Sequence, residues 1–174
     1  MKLLWLDVET TGLEPPRDQL LEVAMVVTEF QVGLDTRLSL VDAQVWITHF
    51  NRQDWCLPIH EKVQEMHTAN GLWEECFRSN LFLSEMTKAM ETFLRRHFPT
   101  EKPSPAGRNV HFDLSFLPEP LKNLFSYRRF DVTSFAPFMA RVETNHLQHR
   151  AMPDLLRDIE LVNQFIKRYG LVIA

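Results

Sequence analysis

Lys2-Leu3-Leu4-Trp5-Leu6-Asp7-Val8-Glu9-Thr10-Thr11-Gly12 sets the reading of the whole chain. Residues 2 to 8 are mostly apolar and rich in strand formers, and Gly12 offers a turn after them. A strand alternates its side chains between two faces, so Asp7 and Glu9, two apart, point the same way. Asp and Glu are poor strand formers, yet here they sit among Leu6 and Val8. Two carboxylates therefore converge at the end of an otherwise apolar strand. The plain alternative is a solvated strand end.

Outward from this segment, β-type composition continues over Leu20–Phe30 and Arg37–Ile47, with Gly33 as the connection between them. The period then changes. Met86, Met90, Phe93, Leu94 and His97 recur three or four apart over Leu83–Phe98, which predicts an amphipathic helix ended by Pro99. Thr100–Pro105, with two prolines, reads as a loop between two halves of one domain. A short extended piece leads into Gly107-Arg108-Asn109, followed by an expected helix over Leu114–Phe125, a strand over Tyr127–Val132 and a helix over Ser134–Val142. In residues 151–169, Leu155, Ile159, Val162 and Ile166 are spaced four, three and four, so a final helix is expected, with Pro153 confined to its first turn. Early strands followed by mixed strands and helices predict a layered α/β domain with a mixed sheet.

With 174 residues, 45% hydrophobic and 24% charged, the chain suits a single domain over 1–174. Nineteen Lys and Arg against 23 Asp and Glu give a net charge of −4, which excludes a global positive field for coating long nucleic acid. Val23–Val27 is the longest early apolar run, far short of the roughly 20 residues of a membrane span, and no secretory leader is legible at the start. A cytoplasmic location is the resulting expectation. Cys56 and Cys76 have no partners at zinc-ligand spacing and read as buried thiols. Trp46, Trp55, Trp73 and Phe82 are candidates for base stacking, with core packing the commoner role.

Two more acids stand out. Asp113 lies where an apolar helix begins and Asp154 lies in the first turn of the last helix; helix capping and the helix dipole explain each one taken alone. His149 stands just before that helix. Read in order, Asp7-x-Glu9-Thr10-Thr11-Gly12-Leu13, Asn109-x-x-Phe112-Asp113-x-x-Phe116-Leu117 and His149-x-Ala151-x-x-Asp154 resemble the three motifs of the DEDDh 3′-to-5′ exonuclease superfamily. That resemblance spans nearly the whole chain and implies a ribonuclease H-like α/β fold, with a central mixed sheet of three early antiparallel strands plus parallel strands, flanked by helices.

It also implies a chemistry. Asp7, Glu9 and Asp154 would hold one divalent ion, Asp7 and the scissile phosphate a second, and Asp113 would act directly or through water. His149 would be the general base, its ordinary pKa of about 6.5 leaving a neutral fraction near pH 7. Close carboxylates repel by about 4 kcal/mol per pair at 4 Å and an effective dielectric of about 20, so a cation is required between them. An all-oxygen donor set suits Mg²⁺ or Mn²⁺ better than zinc, and two such ions stabilise the attacking and leaving oxygens of a displacement at phosphorus. His146 lacks the Ala at +2 and Asp at +5 of the motif, and His111 is assigned no role.

Within the superfamily the oligoribonuclease branch is the nearest resemblance. Met66-His67-Thr68-Ala69-Asn70-Gly71-Leu72 is similar to its H-T-x-S-G-L segment, with Asn70 in the Ser position. Phe125–Ser134 is similar to its F-H-Y-R-x-L-D-V-S-T. The resemblance implies that Arg128, Thr133 and Ser134 cap a 5′ phosphate across a homodimer interface and that Leu13 wedges against a base. An Arg fork and hydroxyl donors would close the site at one end and measure substrate length. The plainer alternatives are a solvated charge pair at Arg128-Arg129 and a helix cap at Thr133-Ser134.

Further departures from the branch are Thr10 in place of Met, Asn109 in place of a capping Ser and Lys62 where Trp is common, and Gly107–Leu117 as a whole resembles proofreading-type and general DEDDh exonucleases more closely. Thr10, Gly12, Leu13 and Asn109 remain candidate substrate contacts. The expected partner is short single-stranded RNA or DNA with a free 3′ end. A proofreading-type DNA exonuclease and a catalytically silent binding module remain the alternatives.

Overall fold

The computed structural model describes residues 1–33, 36–51, 59–135 and 148–170. Five strands form one sheet in the order β3-β2-β1-β4-β5: β1 is Lys2–Thr10, β2 Leu20–Gln31, β3 Arg37–Ile47, β4 Pro105–Gly107 and β5 Phe130–Asp131. The first three are antiparallel neighbours, whereas β4 runs parallel to β1 and β5 parallel to β4. The expected mixed α/β sheet is present.

Strand β1 is covered on both faces. Leu4, Leu6 and Val8 join Val23 and Met25 of β2 and pack against Met86, Met90, Phe93 and Leu94 of helix α3, here numbered after α1 (Glu61–Ala69) and α2 (Leu72–Arg78) and spanning Leu83–His97. On the opposite face Leu3 and Trp5 join Ala24 and Val26 and meet Leu155, Ile159, Val162 and Ile166 of α6, which spans Ala151–Tyr169. Trp5 and Leu6 are fully buried, and each such side chain contributes about 1.5–3 kcal/mol. Asp7 and Glu9 continue the Leu3–Trp5 face, so they emerge beside the first turn of α6. The two middle helices α4 (Val110–Phe116) and α5 (Glu119–Lys122) follow β4.

Several expectations are corrected. The helix expected over Leu114–Phe125 is instead α4 and α5, which break at Leu117 with an extended ψ of 145°. Leu114, Leu121 and Phe125 keep the helical spacing, but Pro118 excludes helical backbone from the residue before it. The strand expected over Tyr127–Val132 is only Phe130–Asp131, followed by a 3-10 turn at Val132–Phe135. The Asp131 carboxylate accepts from the Thr133 N–H (2.9 Å) and hydroxyl (2.7 Å), and such local bonds turn the chain out of the sheet. Of the helix expected over Ser134–Val142, Ser134 and Phe135 belong to that turn and the rest lies outside the described residues. Helices α1 and α2 carry no periodic signal long enough to read from sequence.

Cys76 is buried and free, its thiol pushed up to about 12 chiefly by burial. Cys56, Trp55 and His146 lie outside the described residues. Among the described residues no helix is long and apolar enough to cross a membrane.

Gly107 ends β4 alongside the parallel β1, and a Cβ there would lie 2.6 Å from the Leu6 carbonyl oxygen. Gly107→Ala is therefore expected to lower folding stability by about 1–3 kcal/mol, measured by urea titration. An unchanged midpoint would contradict the close approach.

Candidate active site

Asp7, Glu9 and Asp154 each offer a carboxylate oxygen, and the three oxygens lie within 4.8 Å of one another. Local structure explains this. Glu9 pairs with Glu22 of β2 in register and Asp7 with Ala24, so both acids sit on the α6 side of the sheet. Asp154 is in the first turn of α6, whose start is pinned from below: Ala151 N–H donates to Glu22 Oε2 (3.0 Å), and the Arg150 guanidinium forks between Glu22 (2.9 Å) and Glu75 (2.8 Å). Glu22 is only 2% exposed. An Arg fork on a buried carboxylate satisfies several of its lone pairs at once.

Asp113 enters from the other side. Beyond Trp5, β1 has no ladder partner on its β4 side among the described residues, and the Val8 N–H donates to Asp113 Oδ1 (3.0 Å). Asp113 thus holds the open edge of β1 from inside α4. It is not that helix's N-cap, which is Asn109. Asp113 thus stands beside the three-acid cluster at the same end of β1, its charge bearing on Asp7.

Burial and the charge of neighbouring acids favour the protonated forms of Asp7, Glu9 and Asp113. Burial, then the charges of Asp113, Glu9 and Asp154, raise Asp7 well above the ordinary carboxylate range. Burial, then Glu22 and Asp154, push Glu9 up to about 8, and burial pushes Asp113 up to about 7 against the Val8 hydrogen bond. A divalent cation is the group this oxygen set fits, since it would replace the protons that otherwise offset the charge.

Asp158, 3% exposed and one turn after Asp154, is a fifth acid that sequence reading missed. Its charge bears on both Asp7 and Asp113, and Arg108 (2.8 Å) and Arg157 (3.3 Å) neutralise it. Arg157 also reaches Asp154 at 3.4 Å. Glu22, Arg150 and His67 were missed as well. A charged residue inside Leu20-Leu21-Glu22-Val23 and an acid four residues after Asp154 were the available signals.

His67 is fully buried, with Nε2 3.2 Å from the Thr10 carbonyl and 3.7 Å from Glu9. Burial pushes it down to about 4, so the imidazole is neutral near pH 7, donates from Nε2 to Thr10 and forms no ion pair with Glu9. Among the described residues its Nδ1 has no hydrogen-bond partner.

His149 is half-buried in a left-handed backbone conformation, φ 50°, immediately before α6. No hydrogen bond joins its imidazole to the acids among the described residues. Thr10 and Gly12 form a rigid corner: the Thr10 hydroxyl donates to the Gly12 carbonyl (2.5 Å), and a Cβ on Gly12 would lie 2.3 Å from the Asp18 carboxylate. Leu13 then projects, 74% exposed.

Asn109 N–H and Thr133 are gathered by Asp131, while exposed Arg128 lies over the Tyr127 ring at 5.7 Å and Ser134 is exposed. None of these four bonds to the acids. Of the candidate stacking residues, Trp46 and Trp73 are buried in the core and Phe82 is exposed.

A family model described as exonuclease, RNase_T, matches residues 4–162. The chain belongs to this exonuclease family. Its relatives include the oligoribonuclease of Nitrosomonas europaea, 30% identical with 91% of this chain and 90% of the relative covered. That of Chromobacterium violaceum is 27% identical over 96% of this chain and 94% of the relative.

Among solved structures, E. coli exonuclease I in complex with a dT13 oligonucleotide superposes with a TM-score of 0.67 at 17% identity. The match covers 97% of this chain and 42% of that one. An exonuclease I from Methylocaldum szegediense gives 0.65 at 14%, covering 97% and 41%. This chain therefore spans about two fifths of the length of those structures, and the likeness establishes the exonuclease fold.

Because Glu9 is raised from 4.5 to about 8, the folded metal-free protein holds a proton there that the unfolded chain has lost. Stability then falls as pH rises between those values. Glu9→Gln removes this penalty and should return on the order of 1–3 kcal/mol at pH 8 and little at pH 5. Thermal melts in chelator at both pH values check this; equal gains at the two would refute the assignment.

Proposed function

We propose that this exonuclease-family chain is a divalent-metal-dependent 3′-to-5′ exoribonuclease that trims short single-stranded RNA to nucleoside 5′-monophosphates. The observation that carries the reading is the convergence of Asp7, Glu9 and Asp154 within 4.8 Å, with Asp113 bonded to the strand between the first two. The relatives named oligoribonucleases, matched over nearly their full length, support short RNA as the substrate.

Asp7, Glu9, Asp113 and Asp154 would hold two Mg²⁺ or Mn²⁺ ions, whose contribution is to offset the charge of the phosphate and its leaving oxygen. His149 takes a proton from the attacking water. The water oxygen bonds to phosphorus, the bond from phosphorus to the 3′ oxygen of the preceding nucleotide breaks, and that oxygen leaves as a hydroxyl once protonated. The products are a 5′-monophosphate and a chain one nucleotide shorter. Proton transfer by a positioned base is worth about 10²–10⁴ in rate.

Leu13, exposed at a corner that Gly12 and Asp18 hold rigid, is the wedge against a terminal base. Thr10, Gly12 and Asn109 line the approach. Arg128, Thr133 and Ser134 cap the 5′ phosphate of a substrate held by the other copy in a homodimer, and all three are exposed. A site closed in this way needs no long basic groove, and a net charge of −4 accords with that.

The experiment is hydrolysis of 5′-phosphorylated RNA and DNA of two, five and twenty nucleotides with Mn²⁺ or Mg²⁺ and with chelator. RNA dinucleotide turnover should be fastest and fall with length, and chelator or Asp7→Ala should abolish it. Faster turnover of the twenty-nucleotide DNA would replace this reading with an open-groove DNA exonuclease. His149→Ala should keep Mn²⁺ binding by calorimetry and lose about 10²–10⁴ in kcat; full turnover would remove the general base.

A further inference from the structure

Asn70 ends α1, and its side chain reaches across 79 positions of sequence to the segment before α6. The orientation of its amide is decided by chemistry. The Leu72 N–H, at the start of α2, donates to Asn70 Oδ1 (3.0 Å), so the opposite edge must be the NH₂ group. That group donates to the His149 carbonyl (2.6 Å) and to the Gln148 carbonyl (3.3 Å). The backbone around Asn70 is itself held, its N–H donating to Met66 O (3.1 Å) and the Gly71 N–H to Thr68 O (3.3 Å).

On the other side of the His149 carbonyl, Arg150 is forked between Glu22 and Glu75, and Ala151 N–H is bonded to Glu22. His149 has φ 50°, a conformation that L-residues with a Cβ rarely adopt and that persists only where the surroundings impose it. The Asn70 amide supplies that constraint from the α1–α2 corner and the Arg150 fork supplies it from the sheet. Between them the direction of the His149 Cα–Cβ bond is set.

We propose that Asn70 is a positioning residue for the His149 base: its two amide donors hold the carbonyls of 148 and 149 so that the imidazole is aimed into the acidic cleft. This rests on the reading of His149 as general base under Proposed function. A serine, the residue at this position in the resembling oligoribonuclease segment, has one donor and a shorter reach, so the double contact belongs to the asparagine.

Asn70→Asp separates positioning from a merely structural role. The carboxylate keeps the size of the side chain and still accepts from Leu72 N–H at the start of α2, where negative charge is favoured. It has no hydrogens to give the two carbonyls and instead repels them. We would measure kcat and KM on a 5′-phosphorylated RNA dinucleotide, Mn²⁺ affinity by calorimetry and the thermal midpoint, for Asn70→Asp, His149→Ala and the double variant.

The expected result is a kcat lower by about ten- to a hundredfold. KM and Mn²⁺ affinity should stay within about twofold, the midpoint should be retained, and the double variant should be no slower than His149→Ala alone. A kcat for Asn70→Asp within about twofold of the parent, with His149→Ala crippled, overturns the positioning role and leaves the general base standing. The same follows if Asn70→Asp slows His149→Ala by its full factor. If His149→Ala turns over at the parent rate, the general-base reading fails and this inference fails with it.

Discussion

Helix α6 lies across the Leu3–Trp5 face of β1, and that contact brings Asp154 to Asp7 and Glu9. Leu155, Ile159, Val162 and Ile166 fill the face with Trp5, Ala24 and Val26. Two residues further along the same face the side chains are Asp7 and Glu9, so the hydrophobic contact that docks the helix also brings Asp154 to the half-buried Asp7 and the buried Glu9. The apolar packing supplies the favourable free energy. The electrostatic cost is confined to one end of it.

That cost is managed in layers. Asp158 is paired with Arg108 and Arg157, and Glu22 with Arg150, so the acids surrounding the cluster are neutralised by arginines of the chain itself. Among the described residues no arginine forms an ion pair with Asp7, Glu9 or Asp113, and burial first, with the charge of neighbouring acids, makes each hold its proton more tightly. The contrast separates carboxylates that anchor helices from carboxylates kept available for a cation. A strained, charge-dense centre built on well-packed strands and helices is how a site acquires precise geometry at the expense of local stability.

Much of this was legible in the residues. The period of two in Leu3–Glu9 located two acids on one face, and the spacing of Leu155 to Ile166 gave the helix that meets them. Order and spacing of the three acidic motifs gave the family before any coordinates. The two segments that depart from their sequence pattern share a cause. Leu114 to Phe125 has helical spacing but carries Pro118, and Tyr127 to Val132 has strand composition but contains Asp131, whose carboxylate accepts from the Thr133 N–H. Local side-chain and proline geometry overrode the period in both.

The sequence by itself determined which side chains share a face, because that depends only on the repeat of a strand or helix and on the neighbours of each residue. It therefore contained Asp7 with Glu9, the amphipathic stripe of α6, and the motif that names His149. Only the tertiary structure decided what crosses between elements: Asp113 on the Val8 N–H, Arg150 forked between Glu22 and Glu75, and Asn70 on the carbonyl of His149. These partners lie 75 to 128 positions apart. Their pairing follows from how the sheet and helices stack, and no local period encodes it.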